Sequence, residues 1–148
     1  MKGMGTTLVA VLVLGKRAYF ANVGDSRGYL MNRQGIQRVT VDHSLVELMV
    51  QRGELSSEAA KSYPGKNFIT RAIGTEQTVE CDLYTAALRP GDCILLCSDG
   101  LTNHLADQEL LFEVIHGGDP DDCLERLLVL SRQRGAPDNV TIVLIMNI

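Results

Sequence analysis

Tryptophan is absent from this 148-residue sequence, and only three phenylalanines and four tyrosines are present. A core must therefore be assembled from Val, Leu, Ile, Ala and Met. None of the four cysteines, Cys81, Cys93, Cys97 and Cys123, makes a C-x-x-C pair, so no zinc clip is written here. Buried free thiols in a reducing cytoplasm are the expectation. Basic residues form no stripe and the net charge is -4, which argues against nucleic acid as the main partner. The apolar run Leu8 to Leu14 is too short to cross a bilayer. It is followed at once by Lys16-Arg17 with no small-residue cleavage site, so neither a membrane span nor a signal peptide is expected, and the chain reads as cytoplasmic.

What is present describes one domain. With 45% hydrophobic and 22% charged residues the chain is globular, and its length suits a single core. Thr6 to Leu14 reads as a buried strand, Arg17 to Val23 as a second, and Gly28 to Asn32 as a third, with turns at Gly15-Lys16, Gly24-Asp25-Ser26-Arg27 and Gln34-Gly35. These segments predict an antiparallel meander. Ser44 with Glu47 three residues on predicts a helix capping box, with Gly53 as the stop. Ser56 to Gly74, interrupted by Pro64-Gly65, predicts a short helix and an exposed flap over about 54–74. Strands follow at Leu83 to Leu88 and Cys93 to Ser98. Asp107 is read as the cap of a helix with Leu110, Leu111, Val114 and Ile115 on one face, Asp119 before Pro120 as the cap of a second, and Val140 to Met146 as the last strand. The fold class is α+β, antiparallel sheet with helices packed over it.

Three aspartates stand at strand ends: Asp25 in a Gly-Asp-Ser turn, Asp99 after Leu95-Leu96-Cys97-Ser98, and Asp138 before Asn139 and the last strand. Carboxylates without histidine or thiolate partners suit Mg²⁺ or Mn²⁺ rather than Zn²⁺. Each also suits local turn capping, and periodicity alone does not show that they meet. Asp42-His43-Ser44 contains triad residue types, but consecutive residues cannot converge, and Ser44 serves better as a helix cap. His104 and His116 read as surface or helix-end residues, and Gly15-Lys16 lacks the pattern of a phosphate-binding loop.

Five strings occur in order: Gly3-Met4-Gly5-Thr6-Thr7, Asn22-Val23-Gly24-Asp25-Ser26-Arg27, Asp42-His43-Ser44, Cys97-Ser98-Asp99-Gly100-Leu101 and Pro137-Asp138-Asn139-Val140-Thr141. From Gly3 to the C-terminus the chain resembles metal-dependent protein Ser/Thr phosphatases of the PP2C type (PPM family), especially small bacterial ones. That resemblance implies an antiparallel β-sandwich flanked by helices, in an αββα order. It also implies two Mn²⁺ or Mg²⁺ ions activating a water against phosphoserine or phosphothreonine in proteins. The substrates would be those of a Ser/Thr kinase. Carried over by motif, Asp99 and Asp138 would be catalytic metal ligands, and Asp25 would join Asp99 at a third, weaker ion seen in bacterial members. Gly100 and Asn139 would support the ligands. Arg71, after the flap, is a candidate substrate contact, weighed against the commoner use of such an arginine in a salt bridge to a sheet-end carboxylate.

The resemblance also implies a preceding part that this sequence lacks: an acidic residue, a metal-bridging Asp-Gly in a D-G-M-G-G string, and an arginine near the phosphate. The chain, 1–148, is thus expected to be a single incomplete domain with its first strand and helices missing. Weak or absent activity is expected until the missing segment is restored, and an exposed sheet edge should favour association. The alternative is a non-catalytic module of the same fold that binds or regulates a partner.

Overall fold

The computed structural model describes residues 3–136 and 139–146. Among these residues seven strands form two antiparallel sheets. β1 (Leu8–Leu14), β2 (Arg17–Val23) and β5 (Asp82–Ala87) make a three-stranded sheet in the order β1-β2-β5. β3 (Arg27–Asn32), β4 (Gly35–Arg38), β6 (Cys93–Cys97) and β7 (Ile142–Ile145) make a four-stranded sheet in the order β4-β3-β6-β7. The predicted meander of the first forty residues is therefore split. β1 pairs with β2 and β3 with β4, but the chain changes sheets between β2 and β3, at Gly24-Asp25-Ser26.

Alternation in the strands builds two apolar layers. Ala18, Phe20, Ile94, Leu96 and Leu88 pack between the sheets, with Val9, Val11 and Val13 against them. On the other face of the four-stranded sheet, Tyr29, Met31, Leu95 and Cys97 meet the helices α3 (Asp99–Thr102), α4 (Asp107–Leu111) and α5 (Cys123–Gln133) through Leu101, Leu110, Val114 and Leu127. Covered on both faces, all five residues of β6 are buried. Residues Phe112–His116 continue α4 as a π-helical turn before Gly117-Gly118, and Leu110, Leu111, Val114 and Ile115 form the inward face foreseen for them.

Four local expectations are corrected. β1 is an edge strand rather than a buried one, and Leu8, Leu12 and Leu14, with Tyr19 and Leu83, leave an apolar outer face exposed on the three-stranded sheet. Asp119 does not open α5: its carboxylate accepts from the Asp121 amide at 3.0 Å, closing a turn, and the helix starts at Cys123. Asp107 is the first helical residue rather than the cap; the amide of the preceding Ala106 donates to Glu109 at 2.8 Å. Cys81 is exposed, whereas Cys93, Cys97 and Cys123 are buried, and all four are free thiols.

Two further helices shape the flap side. Ser44 caps α1 (Leu45–Gln51), accepting from the Glu47 amide at 3.3 Å, but the Glu47 carboxylate turns to Arg38 at 3.1 Å instead of closing the box. α2 (Ser57–Ala60) lies in the flap, whose return strand is laced back by the pairs Ser44–Ile69 and Thr6–Ile73. Among the described residues no helix is long and apolar enough to cross a membrane.

Candidate metal centre

Register brings the candidate carboxylates to one rim. In the β3–β6 pair Arg27 faces Cys97. Asp25 lies two residues before the one and Asp99 two residues after the other, so both leave the sheet at the same end. Cys97 also faces Ile142, which places the lead-in to β7, with Asn139, at that rim. Gly100 makes the approach tight: a Cβ there would sit 2.3 Å from the Asn139 carbonyl oxygen. Ser98 Oγ takes part on both sides, donating to the Asn139 carbonyl at 3.3 Å and accepting from the Thr141 amide at 3.0 Å. The buried Ser131 hydroxyl of α5 donates to the Gly100 carbonyl at 3.0 Å and holds the same turn from behind. Asp138 lies outside the described residues.

The Asp25 turn is fixed from several directions. Gly24 has φ +109° and stands so close to Thr7 that a Cβ would fall 2.4 Å from its Cγ2, so only glycine fits. Ser26 Oγ and Thr7 Oγ1 are 2.8 Å apart in a hydrogen bond. Asn22, fully buried, donates to the Gly24 carbonyl and to the Val41 carbonyl, both at 3.2 Å, while its Oδ1 finds no partner among the described residues. Next to the turn, Arg27 grips the buried Asp42 through Nε at 3.0 Å and Nη2 at 2.7 Å. The Tyr29 hydroxyl, reached by Arg27 Nη1 at 3.3 Å, donates to Asp107 at 3.1 Å.

Asp25 itself is half-buried, and its carboxyl is pushed up to about 6. Burial is the main cause, followed by the negative charges of Asp99 and Asp42, against the pull of its own backbone amide and of Arg27. Among the described residues the Asp99 carboxylate has one weak partner, Asn103 Nδ2 at 3.4 Å. Both carboxylates line a cleft of about 760 Å³ that runs between the flap side, with Lys61 and Lys66, and the α3–α4 side, with Asn103 and Asp107.

Two acidic side chains at one rim, one of them raised in part by the charge of the other, are a donor set that a hard divalent cation relieves. Among the described residues no group of three or more His, Cys, Asp or Glu is gathered. Arg71 bonds Asp82 Oδ1 at 2.9 Å and the Glu80 carbonyl at 3.1 Å, the salt bridge weighed against substrate contact. His43, read from the sequence only as part of the Asp42-His43-Ser44 string, belongs to the site's support. Its Nδ1 accepts from the Gly24 amide at 2.9 Å and its Nε2 lies 2.7 Å from Asp82.

The chain is similar to known proteins. The family model described as "Protein phosphatase 2C" matches residues 2–48. The serine/threonine phosphatase stp of Listeria monocytogenes is 38% identical over 145 residues, covering 98% of this chain and 58% of that protein. The serine/threonine protein phosphatase PstP of Mycobacterium tuberculosis is 39% identical over 143 residues, covering 97% of this chain and 27% of that protein. Among solved structures, that of the Mycobacterium tuberculosis PstP/Ppp matches with a TM-score of 0.90 at 38% identity, covering 97% of this chain and 60% of the other. The catalytic domain of PstP in complex with two manganese ions matches with a TM-score of 0.85 at 37% identity, covering 97% and 59%. The chain thus spans about three fifths of the length of such relatives as the Listeria enzyme.

Proposed function

For this chain, which belongs to the protein phosphatase 2C family, we propose a part in the metal-dependent hydrolysis of phosphoserine and phosphothreonine in proteins. The observation that carries the proposal is the pairing of Asp25 and Asp99 at one rim, with Asp99 among the causes that raise the Asp25 carboxyl. Asp99 and Asp138 would hold Mn²⁺ or Mg²⁺ as the catalytic ligands, and Asp25 would share a further ion with Asp99. When bound, such ions supply a water of lowered pKa and neutralise phosphate charge.

The rest of the work falls to the chain. Gly100 and Asn139 keep the β7 lead-in against the Asp99 turn, so the acidic groups stay close without side chains crowding between them. The Arg27–Asp42 pair fixes the floor of the cleft beside Asp25, while Lys66 lines its flap side. Arg71, with Nη1 held by Asp82, would reach substrate only through its remaining donors. The flap over 54–74 would form one wall of a single phosphatase domain. Phosphoproteins made by a Ser/Thr kinase would be the partners, in the cytoplasm.

Calorimetric titration of Mn²⁺ into the wild type and Asp99→Ala tests this. Saturable binding that weakens at least tenfold in Asp99→Ala is the expected result, and equal binding by both proteins removes Asp99 from the site. A second reading has its own observation: the described rim gathers only two carboxylates, so the chain would bind a cation without turning over phosphate esters. Mn²⁺ binding with no release of phosphate from a phosphothreonine peptide would favour it.

A further inference from the structure

His43 is only 7% exposed, and every polar group it carries is in use. Its backbone N–H donates to the Gly24 carbonyl at 2.9 Å, and its carbonyl accepts from the Thr70 amide of the flap's return strand at 2.8 Å. On the ring, Nδ1 accepts from the Gly24 amide at 2.9 Å and Nε2 meets Asp82 Oδ2 at 2.7 Å. The residue before Asp25 is therefore held at both its N–H and its C=O by one histidine.

The amide of Gly24 needs a lone pair on Nδ1, so the ring proton must sit on Nε2 and point at Asp82. Asp82 Oδ2 accepts it, with the Tyr84 hydroxyl at a longer 3.5 Å, while Arg71 Nη1 donates to Oδ1 at 2.9 Å and fixes the carboxylate's orientation. The register of the three-stranded sheet supplies the placement, since Asp82 faces Asn22 across β2 and β5 at the end nearest the turn.

We propose that His43 is a positioning residue for the rim: it clamps the Gly24–Asp25 turn, while Asp82, oriented by Arg71, sets the ring tautomer that the clamp needs. The proposal rests on the metal-binding reading of Asp25. It extends that reading through a chain of four groups, Gly24, His43, Asp82 and Arg71, from the rim to the exit of the flap. Carboxylate–imidazole pairs orient metal-binding histidines in the same way; here the imidazole acts on a backbone amide instead of an ion.

Asp82→Asn separates the clamp from mere packing. The side chain is 41% exposed, so the substitution leaves the fold intact. Arg71 donates to one branch, so the new amide turns its oxygen there and presents its NH₂ group to His43. A donor facing Nε2 favours a lone pair there, so the ring releases that proton to water and takes one from water at Nδ1, set against the Gly24 N–H, as an Asp→Asn change inverts the histidine of a serine-protease triad.

The experiment reads ¹⁵N resonances of the His43 ring and the Gly24 amide by NMR, with Mn²⁺ titrations on the same samples. In the wild type, Nδ1 should carry no proton and Nε2 should carry one. In Asp82→Asn the assignment should invert, the Gly24 amide should lose its exchange protection, and Mn²⁺ should bind about tenfold or more weakly. A protonated Nδ1 in the wild type overturns the proposal, as does an Asp82→Asn protein with unchanged ring and amide signals. If the wild type binds no Mn²⁺ at all, the metal reading fails, while the ring and amide signals still decide whether the clamp exists.

Discussion

Replacing Asp25 by asparagine should make the metal-free protein more stable at neutral pH. The folded state raises this carboxyl from 3.8 to about 6, which corresponds to roughly 3 kcal/mol held against the ionised form. Solvent still reaches a half-buried group, so about 1–2 kcal/mol is the expected gain once the charge is removed. The sign follows from proton counting. Between about pH 4 and pH 6 the folded state keeps a proton that the unfolded chain has released, so this group's contribution to stability falls as pH rises. Below about pH 4 both states are protonated and the penalty vanishes; above about pH 6 it is fully present. Urea unfolding in EDTA at pH 7.5 and pH 4, followed by far-ultraviolet circular dichroism because tryptophan is absent, reads the difference directly. A gain confined to pH 7.5 agrees with the argument. No gain there, or an equal gain at both pH values, refutes it. Adding Mn²⁺ at a hundred times its dissociation constant should then stabilise the wild type by about 2.7 kcal/mol and the variant by clearly less.

Three further outcomes follow from the same geometry. Gly100→Ala puts a methyl group 2.3 Å from the Asn139 carbonyl and should cost about 2–3 kcal/mol by urea unfolding, because the obstacle is backbone. Asp42→Ala strips Arg27 of its bidentate partner beside the cleft, and about 3 kcal/mol should be lost in the same assay. Ser131→Ala leaves the Gly100 carbonyl without its donor from α5; a loss of about 1–2 kcal/mol and weaker Mn²⁺ binding are expected, read by melting and calorimetry.

Much of the architecture is legible in the chain because its signals are local. The turns at Gly15, Gly24 and Gly35 occur at positive φ, and the apolar string Cys93 to Cys97 is the strand that both layers cover. Local pattern and structure part where one residue type serves two purposes. Asp119-Pro120 carries a helix-start pattern, yet its carboxylate closes a tighter turn one step earlier. The run Leu8 to Leu14 is apolar on both faces, and a sequence cannot say which face will be covered.

The site divides along the same line. Asp25 and Asp99 are visible as acids at strand ends, but their meeting depends on the pairing of Arg27 with Cys97, a long-range fact with no local signature. His43 was hidden for a further reason: its partners Gly24 and Asp82 lie 19 and 39 residues away, one in the turn between the sheets and the other on β5.

The two halves of the rim are held with unequal stiffness, and this bears on how a cation would be gripped. The Asp25 side is tied through Gly24 to Thr7, Asn22 and His43, all anchored to the three-stranded sheet or to the segment before α1. The Asp99 side opens α3, a helix of four residues, and among the described residues its carboxylate is restrained by one 3.4 Å contact, to Asn103. Adjustment on binding should therefore fall on Asp99, with Asp25 as the fixed point. That asymmetry suits two like charges, since a wholly rigid pair would keep its full repulsion in the empty state. Asn103→Ala should leave Mn²⁺ affinity within about threefold of the wild type, whereas loosening the Asp25 turn should cost tenfold or more. The reverse order in calorimetric titrations would mean that the rigid half of the rim is the other one.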